Sequence, residues 1–370
     1  MNRRAFLAST VLGLSEGRAS VAQQTPEIDL REVAKRKNLL VGSACSFREL
    51  QWPEFTQLLA EEASIVVPEN EMKWQAIHPA PDRYDFRRGD ALVAFAQAHG
   101  QLVRGHNLCW HEANPAWLLQ TATPQNAAQL LTDHIATVAG HYAGKIHSWD
   151  VVNEAIHVED GLPGGLRSSL WYRLLGARYI DLAYQAARRA DPHALLTYND
   201  YDLEQDSPLH ELKRRAVLGL LRSMRERNVP IDALGLQSHL HASLQPYRWR
   251  GLHRFLDEVE GLQLQVFVTE LDVDDTALPS DERERDRLVA RLYREYLHNV
   301  LRHRAVKAVL TWGLCDRDSW LNWRQRRPDR LPRRPLPFDA DLKPTPAYFA
   351  MREEISRAPS RTPWHPPAAG

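Results

Sequence analysis

Eight times between residues 39 and 356, a short apolar run is followed by a longer stretch whose apolar residues recur at helical spacing, and few folds accommodate that pattern. The runs are LLVGS (39–43), SIVV (64–67), QLVRG (101–105), IHSWDVV (146–152), ALLTY (194–198), DALGLQ (232–237), QVFVT (265–269) and AVLTW (308–312). The helical stretches that follow them cover 53–62, 88–99, 124–142, 169–190, 208–227, 251–260, 281–303 and 345–356. Strands that alternate with helices pair in parallel, and eight such units close into a (β/α)8 TIM barrel of the α/β class. Thr123-Pro124 and Asp206-Ser207-Pro208 each set a proline at a first helical position, which supports the count.

A barrel of this kind needs about 250 residues plus insertions, so the 370 residues form one domain, expected over 28–356. The first residues, MNRRAFLASTVLGLSEGRASVA, read as a secretory signal over 1–22: a basic start, an apolar run from Ala5 to Leu14 too short to span a bilayer, then small residues at Ser20 and Ala22. The Arg3-Arg4 pair gives it a twin-arginine flavour. Residues 357–370 are Pro-rich and expected to be a disordered tail. The mature chain is therefore expected to be secreted or periplasmic, monomeric and free of membrane.

With 47 basic and 47 acidic residues there is no footprint for nucleic acid, and the expected partner is a neutral molecule. Cys45, Cys109 and Cys315 have no metal-ligand spacing. They are expected as buried thiols, with a Cys45–Cys315 bridge as the alternative if the first and last strands are neighbours. Seven of the eleven tryptophans (Trp74, Trp110, Trp117, Trp149, Trp312, Trp320 and Trp323) fall at or just after the predicted strands. They either fill the core or line a cleft with flat apolar faces suited to sugar rings.

Catalysis in such barrels sits at the C-terminal ends of the strands. Read there, the chain offers PENEMKW (68–74), GHNLCWHEANPAW (105–117), WDVVNEA (149–155), YNDYD (198–202), QSHLH (237–241), TELDV (269–273) and TWGLCDRDSW (311–320). Two carboxylates stand out, Glu154 after the fourth strand and Glu270 after the seventh, three steps apart on the ring. A carboxyl pair about 5 to 5.5 Å apart is what retaining glycoside hydrolysis requires.

In their order and residues these motifs resemble the family 10 glycoside hydrolases, the endo-β-1,4-xylanases, over essentially residues 28–356. The resemblance implies Glu154 as acid/base and Glu270 as nucleophile, with xylan and xylo-oligosaccharides as substrates and no cofactor or metal. It implies that Glu69, Asn70, Lys73, His106, Trp110, Gln237, His239, Trp312 and Trp320 hold the glycone sugars, and that Asn153 meets the 2-hydroxyl beside the nucleophile. Tyr201, in YNDYD, is placed with the substrate-binding set.

The residue chemistry suits these roles. Asn153 and Gln237 offer both donors and acceptors to hydroxyls. His239 is set to donate to Glu270 while Asp272 orients it. The four-residue spacing of Glu69 and Lys73 also suits a simple ion pair. Two stretches depart from the family pattern: HEANPAW carries Ala113 and Asn114 where a polar Gln and an apolar residue are common, and Leu321-Asn322-Trp323 follow Trp320 in place of an Arg. Beyond them, 324–334 holds six arginines, expected as a solvated loop or as a contact for glucuronosyl branches.

Three rival readings remain. A β-1,4-glucanase of the same barrel type shares the carboxylate arrangement. A metal-dependent barrel hydrolase would use His239 and His241 completed by Asp316. A noncatalytic carbohydrate-binding protein would have lost one of the two carboxylates.

Overall fold

A computed structural model describes residues 29–245, 247–324 and 326–362. Eight parallel strands close into a barrel: β1 Leu40–Cys45, β2 Ile65–Pro68, β3 Leu102–Gly105, β4 Ser148–Asn153, β5 Leu195–Asp200, β6 Ala233–Leu236, β7 Gln265–Asp274 and β8 Val306–Thr311. Each pairs with its neighbour in sequence, and the ring closes where Ser43 of β1 sits opposite Thr311 of β8. A short segment, His239–His241, carries the chain past β6 and pairs in parallel with the far end of β7. That added pairing lets β7 run ten residues and brings His239 opposite Asp272.

Alternating strand residues divide the core in two. Ile65, Val67, Leu195, Phe267 and Leu310 fill the barrel, while the larger cluster seals the strands against the surrounding helices. The barrel interior is not wholly apolar. Arg104 of β3 is ion-paired to Asp150 of β4, both about 1% exposed, and Asp150 turns its other oxygen to His106 Nδ1 at 2.9 Å. A buried guanidinium is tolerable only because its carboxylate and the Ser148 hydroxyl, at 3.2 Å, satisfy it.

The helices begin largely where their caps dictate. Ser207 accepts from His210 N at 3.2 Å with Pro208 next, and Asp281 accepts from Glu284 N at 2.9 Å. The expected start at Pro124 is corrected, because the helix opens at Ala127. Asn126 folds its side chain onto Thr123 N and Thr121 O, and that local turn displaces the first helical turn. The expected helix over 169–190 is two, Leu170–Leu175 and Arg178–Ala190, broken at Gly176, whose φ of 61° only glycine adopts freely.

The tail also needs correction. The last helix runs through Arg357, and residues 358–362 are docked across the end of the barrel where the strands begin. Arg361, 3% exposed, donates to the carbonyls of Leu301 and Val306 at 2.8 and 2.9 Å, while its own N–H and C=O meet Lys37 O and Asn38 Nδ2. It clamps the chain end onto the seam between β1 and β8. Arg361→Ala should lower stability by about 2 kcal/mol, since it strands buried carbonyls without donors; an unchanged urea midpoint would contradict the clamp. The expected signal (1–22) and the remainder of the tail (363–370) lie outside the described residues. Among the described residues no helix is long and apolar enough to cross a membrane.

The three cysteines are free and buried. Although β1 and β8 are neighbours, no Cys45–Cys315 bridge forms.

Candidate active site

The C-terminal ends of the strands surround a cavity of about 700 Å³, and all fourteen side chains singled out from the sequence line it. The two carboxylates stand on opposite ends of one hydrogen-bonded chain. Gln237 Nε2 donates to Glu154 Oε1 at 2.9 Å and lies 3.4 Å from Asn153 Oδ1. Asn199 Nδ2 then joins Asn153 Oδ1, at 2.9 Å, to Glu270 Oε1, at 2.7 Å. Asn199 is itself fixed by Thr269 Oγ1 at 2.7 Å and packs so close to Gly235 that a Cβ there would lie 2.2 Å from its amide oxygen.

The partners of the two acids differ. Glu270, in β7 and 4% exposed, accepts from Asn199 on one oxygen and meets His239 Nε2 on the other at 3.2 Å. His239 Nδ1 lies 2.9 Å from Asp272 Oδ1, and Asp272 Oδ2 accepts from Trp320 Nε1 at 2.6 Å. Both imidazole nitrogens thus face carboxylates, which favours the doubly protonated ring. Burial opposes its charge, but Asp272 and Glu270 outweigh burial and hold the His239 pKa well above its ordinary value. Burial likewise works against ionised Glu270, yet the bond from His239, with His106 and Asn199, keeps its pKa below the usual carboxylate value. Glu270 is therefore held in place with its ionised form favoured.

Glu154 follows β4 with a left-handed backbone at φ 57°, an uncommon conformation for a residue with a Cβ. The turn is held by Glu154 N on Asn199 O at 2.8 Å and by Arg167 Nε on Glu154 O at 2.7 Å. One carboxylate oxygen takes the Gln237 bond; the other stands 3.6 Å from His111 Nδ1. Burial lowers the His111 pKa, which favours the neutral ring.

On the Glu69 wall, the simple ion pair that the four-residue spacing also suited does not form. Residues 70–73 form turns rather than helix, and Lys73 Nζ donates to Asn70 Oδ1 at 2.9 Å instead of closing on Glu69. The ammonium lies 5.3 Å above Trp110 and 5.8 Å above Trp312, and burial lowers its pKa. Burial raises that of Glu69. Across the cleft, Tyr201 lies flat on Lys213, whose Nζ is 3.1 Å from the ring centroid, and its hydroxyl accepts from Arg167 at 2.7 Å. Of the seven strand-end tryptophans, Trp110, Trp312 and Trp320 face this cavity, Trp74 and Trp149 are core, Trp117 donates to His78 O, and Trp323 is exposed.

Other expectations separate here. His239 and His241 share the cleft, but Asp316 lies buried in a different cavity beneath the Arg-rich loop and accepts from Leu336 N, so the three are not brought together. Among the described residues, no group of three His, Cys, Asp or Glu is arranged to hold a metal. The Arg-rich loop is not simply solvated. Arg327 and Arg333 are buried on Asp275 and Asp274, and Arg334 binds Asp286, so half of its arginines fasten the loop to the end of β7 and the chain that follows it. Asn114 turns its amide back onto Trp110 O and His111 O. Sequence reading missed Asn199, Asp150 and Arg167. Asn199 stood in plain view in YNDYD and Asp150 in WDVVNEA, but both act, as Arg167 does, through partners on other strands and loops.

Comparison with known proteins adds an independent line. The model of the family described as glycosyl hydrolase family 10 matches residues 29–354. The chain is 34% identical over 331 residues to endo-1,4-beta-xylanase B of Thermotoga neapolitana, covering 88% of this chain and 91% of that one. It is 33% identical over 351 residues to endo-1,4-beta-xylanase B of Paenibacillus barcinonensis, covering 88% and 98%. Among solved structures, native xylanase 10B from Thermotoga maritima superposes with a TM-score of 0.81 at 33% identity, over 89% of this chain and 98% of that one. Xylanase 10B from Thermotoga petrophila RKU-1, in complex with xylobiose, gives 0.79 at 32% identity over 90% and 98%.

Proposed function

The chain belongs to glycosyl hydrolase family 10, and from that premise we propose that it is an endo-1,4-β-xylanase that cleaves internal bonds of xylan with retention of configuration. The observation that carries this reading is the single chain of hydrogen bonds linking Glu154 to Glu270 through Gln237, Asn153 and Asn199. It holds Glu270 in place at one end and leaves Glu154 one oxygen free of that chain at the other.

Glu270 attacks the anomeric carbon as Glu154 protonates the departing oxygen. The glycosidic C–O bond breaks, a glycosyl ester forms on Glu270, and the shortened chain leaves as an alcohol. Glu154, now a carboxylate, takes a proton from water, and the resulting attack at the same carbon frees Glu270. His239 and Asp272 position the nucleophile; Asn153 and Asn199 hold the space beside it. Glu69, Asn70, Lys73, His106, Trp110, Gln237, Trp312 and Trp320 bind the glycone, and Tyr201 offers a flat face on the side of the leaving group. The relatives named endo-1,4-beta-xylanase and the xylobiose complex of one neighbour support this substrate class.

Trp320, pinned by its indole N–H to Asp272, forms a fixed wall against which a C5 hydroxymethyl group would press. Xylan should therefore outrun cellulose by at least about tenfold per bond cleaved, within the range that one added carbon group in a fitted pocket produces. Reducing ends released from xylan, glucuronoxylan and carboxymethylcellulose side by side test this, and comparable turnover on cellulose would favour a β-1,4-glucanase. We also assign residues 28–356 as the catalytic domain and 1–22 as an export signal that delivers a monomeric enzyme to the periplasm or medium.

A further inference from the structure

The cleft does not end at Trp320. It shares Glu69, Asn70, Trp320 and Arg324 with a shallower cavity of about 580 Å³, completed by Ser46, Arg48, Asp318 and Trp323. Glu154 and Tyr201 line the main cleft but not this extension, which continues the Glu69 wall. The extension therefore lies on the glycone side.

Two side chains there are not consumed by the fold. Trp323 is 71% exposed, more than any other large apolar side chain among the described residues. Arg324 lays its guanidinium over Trp320, 5.5 Å from the ring centroid, and has no carboxylate partner among the described residues. Its neighbours Arg327, Arg333 and Arg334 are all spent on Asp275, Asp274 and Asp286. Of the two carboxylates on the cavity wall, Asp318 is ion-paired to Arg48, and neither it nor Glu69 is paired with Arg324. The site thus combines an exposed aromatic face with one uncommitted guanidinium, parked on the ring that ends the main cleft. A flat ring suits a pyranose, and a guanidinium fork suits a carboxylate.

We propose that this extension is a distal glycone site selective for an acidic branch: Trp323 stacks on a pyranose, and Arg324 pairs with the carboxylate of a uronic-acid substituent on the xylan backbone. The proposal rests on the xylanase reading and names the substrate subclass that the same site prefers.

The test compares glucuronoxylan with the same polymer after its uronic carboxyls have been reduced to hydroxymethyl groups, which keeps the bulk of the branch and removes only its charge. In the wild-type enzyme, kcat/KM should fall about three- to tenfold on carboxyl reduction, the range for one partly exposed charge-assisted pair. Arg324→Gln should bring the two polymers within twofold of each other. Arg324→Lys, which keeps the charge but loses the fork, should retain part of the preference. Trp323→Ala should lower kcat/KM on both polymers together and leave their ratio in place. A wild-type enzyme indifferent to carboxyl reduction, or an Arg324→Gln variant that keeps the full preference, would overturn the proposal while leaving the xylanase reading intact. Failure to cleave either polymer would overturn both.

Discussion

Glu270→Ala should lose xylan hydrolysis by on the order of 10⁵-fold or more, the scale seen when a covalent nucleophile is removed. No better leaving group should repair it, because an activated aryl xylobioside still needs something to attack the anomeric carbon. Both oxygens of Glu270 are engaged, by Asn199 and by His239, so the variant leaves an imidazolium facing empty space but keeps the strand pairing that carries it. Circular dichroism should show a folded barrel. A fluorinated sugar that traps the glycosyl-enzyme should label the peptide containing TELDV in the wild type and label nothing in the variant. Labelling of any other peptide would refute the assignment, and NMR detection of a first-formed product with inverted configuration would refute double displacement itself.

Glu154→Ala should behave differently, and the difference is the stronger test. General acid assistance is worth roughly 10² to 10⁴ in rate, and only where the leaving group needs a proton. Xylan cleavage should therefore collapse while the first step on aryl xylobiosides with acidic phenols survives, giving a burst of phenol followed by slow turnover. Azide, small enough for the vacated space and needing no base, should restore turnover and yield a β-glycosyl azide. The pocket is suited to it: Gln237 Nε2 and Asn153 Nδ2, which now point at Glu154 Oε1, would remain as donors to an anion. Equal loss on xylan and activated substrates, with no azide rescue, would make Glu154 structural.

Much of this was legible in the sequence because barrel position and side-chain chemistry coincide. Each strand-end motif reads outward along one strand, so Glu154, Glu270 and the polar residues beside them could be placed in one mouth without any tertiary contact. What escaped depends on partners far along the chain. Arg327 and Arg333 look like solvated cations until Asp274 and Asp275 are seen beneath them, some fifty residues away. Arg104 sits in an apolar run, and only closure of the barrel shows Asp150 waiting on the next strand. The alternative of a simple Glu69–Lys73 ion pair is not realised, because four-residue spacing joins side chains on a helix and the chain turns here, so the ammonium meets Asn70. At residue 358 composition suggested disorder, whereas one buried arginine three residues later holds the chain in place.

That same clamp decides how the molecule can be tethered. Arg361 meets Lys37, Asn38 and the start of β8, and Arg31 reaches the carbonyls of His99 and Gly100 just ahead of β3. Both ends of the described chain therefore emerge on the face of the barrel opposite the carboxylates. A bead, a scaffold or a second module joined at either end would grip the molecule from behind, leaving the open side turned toward an insoluble polymer too large to reorient.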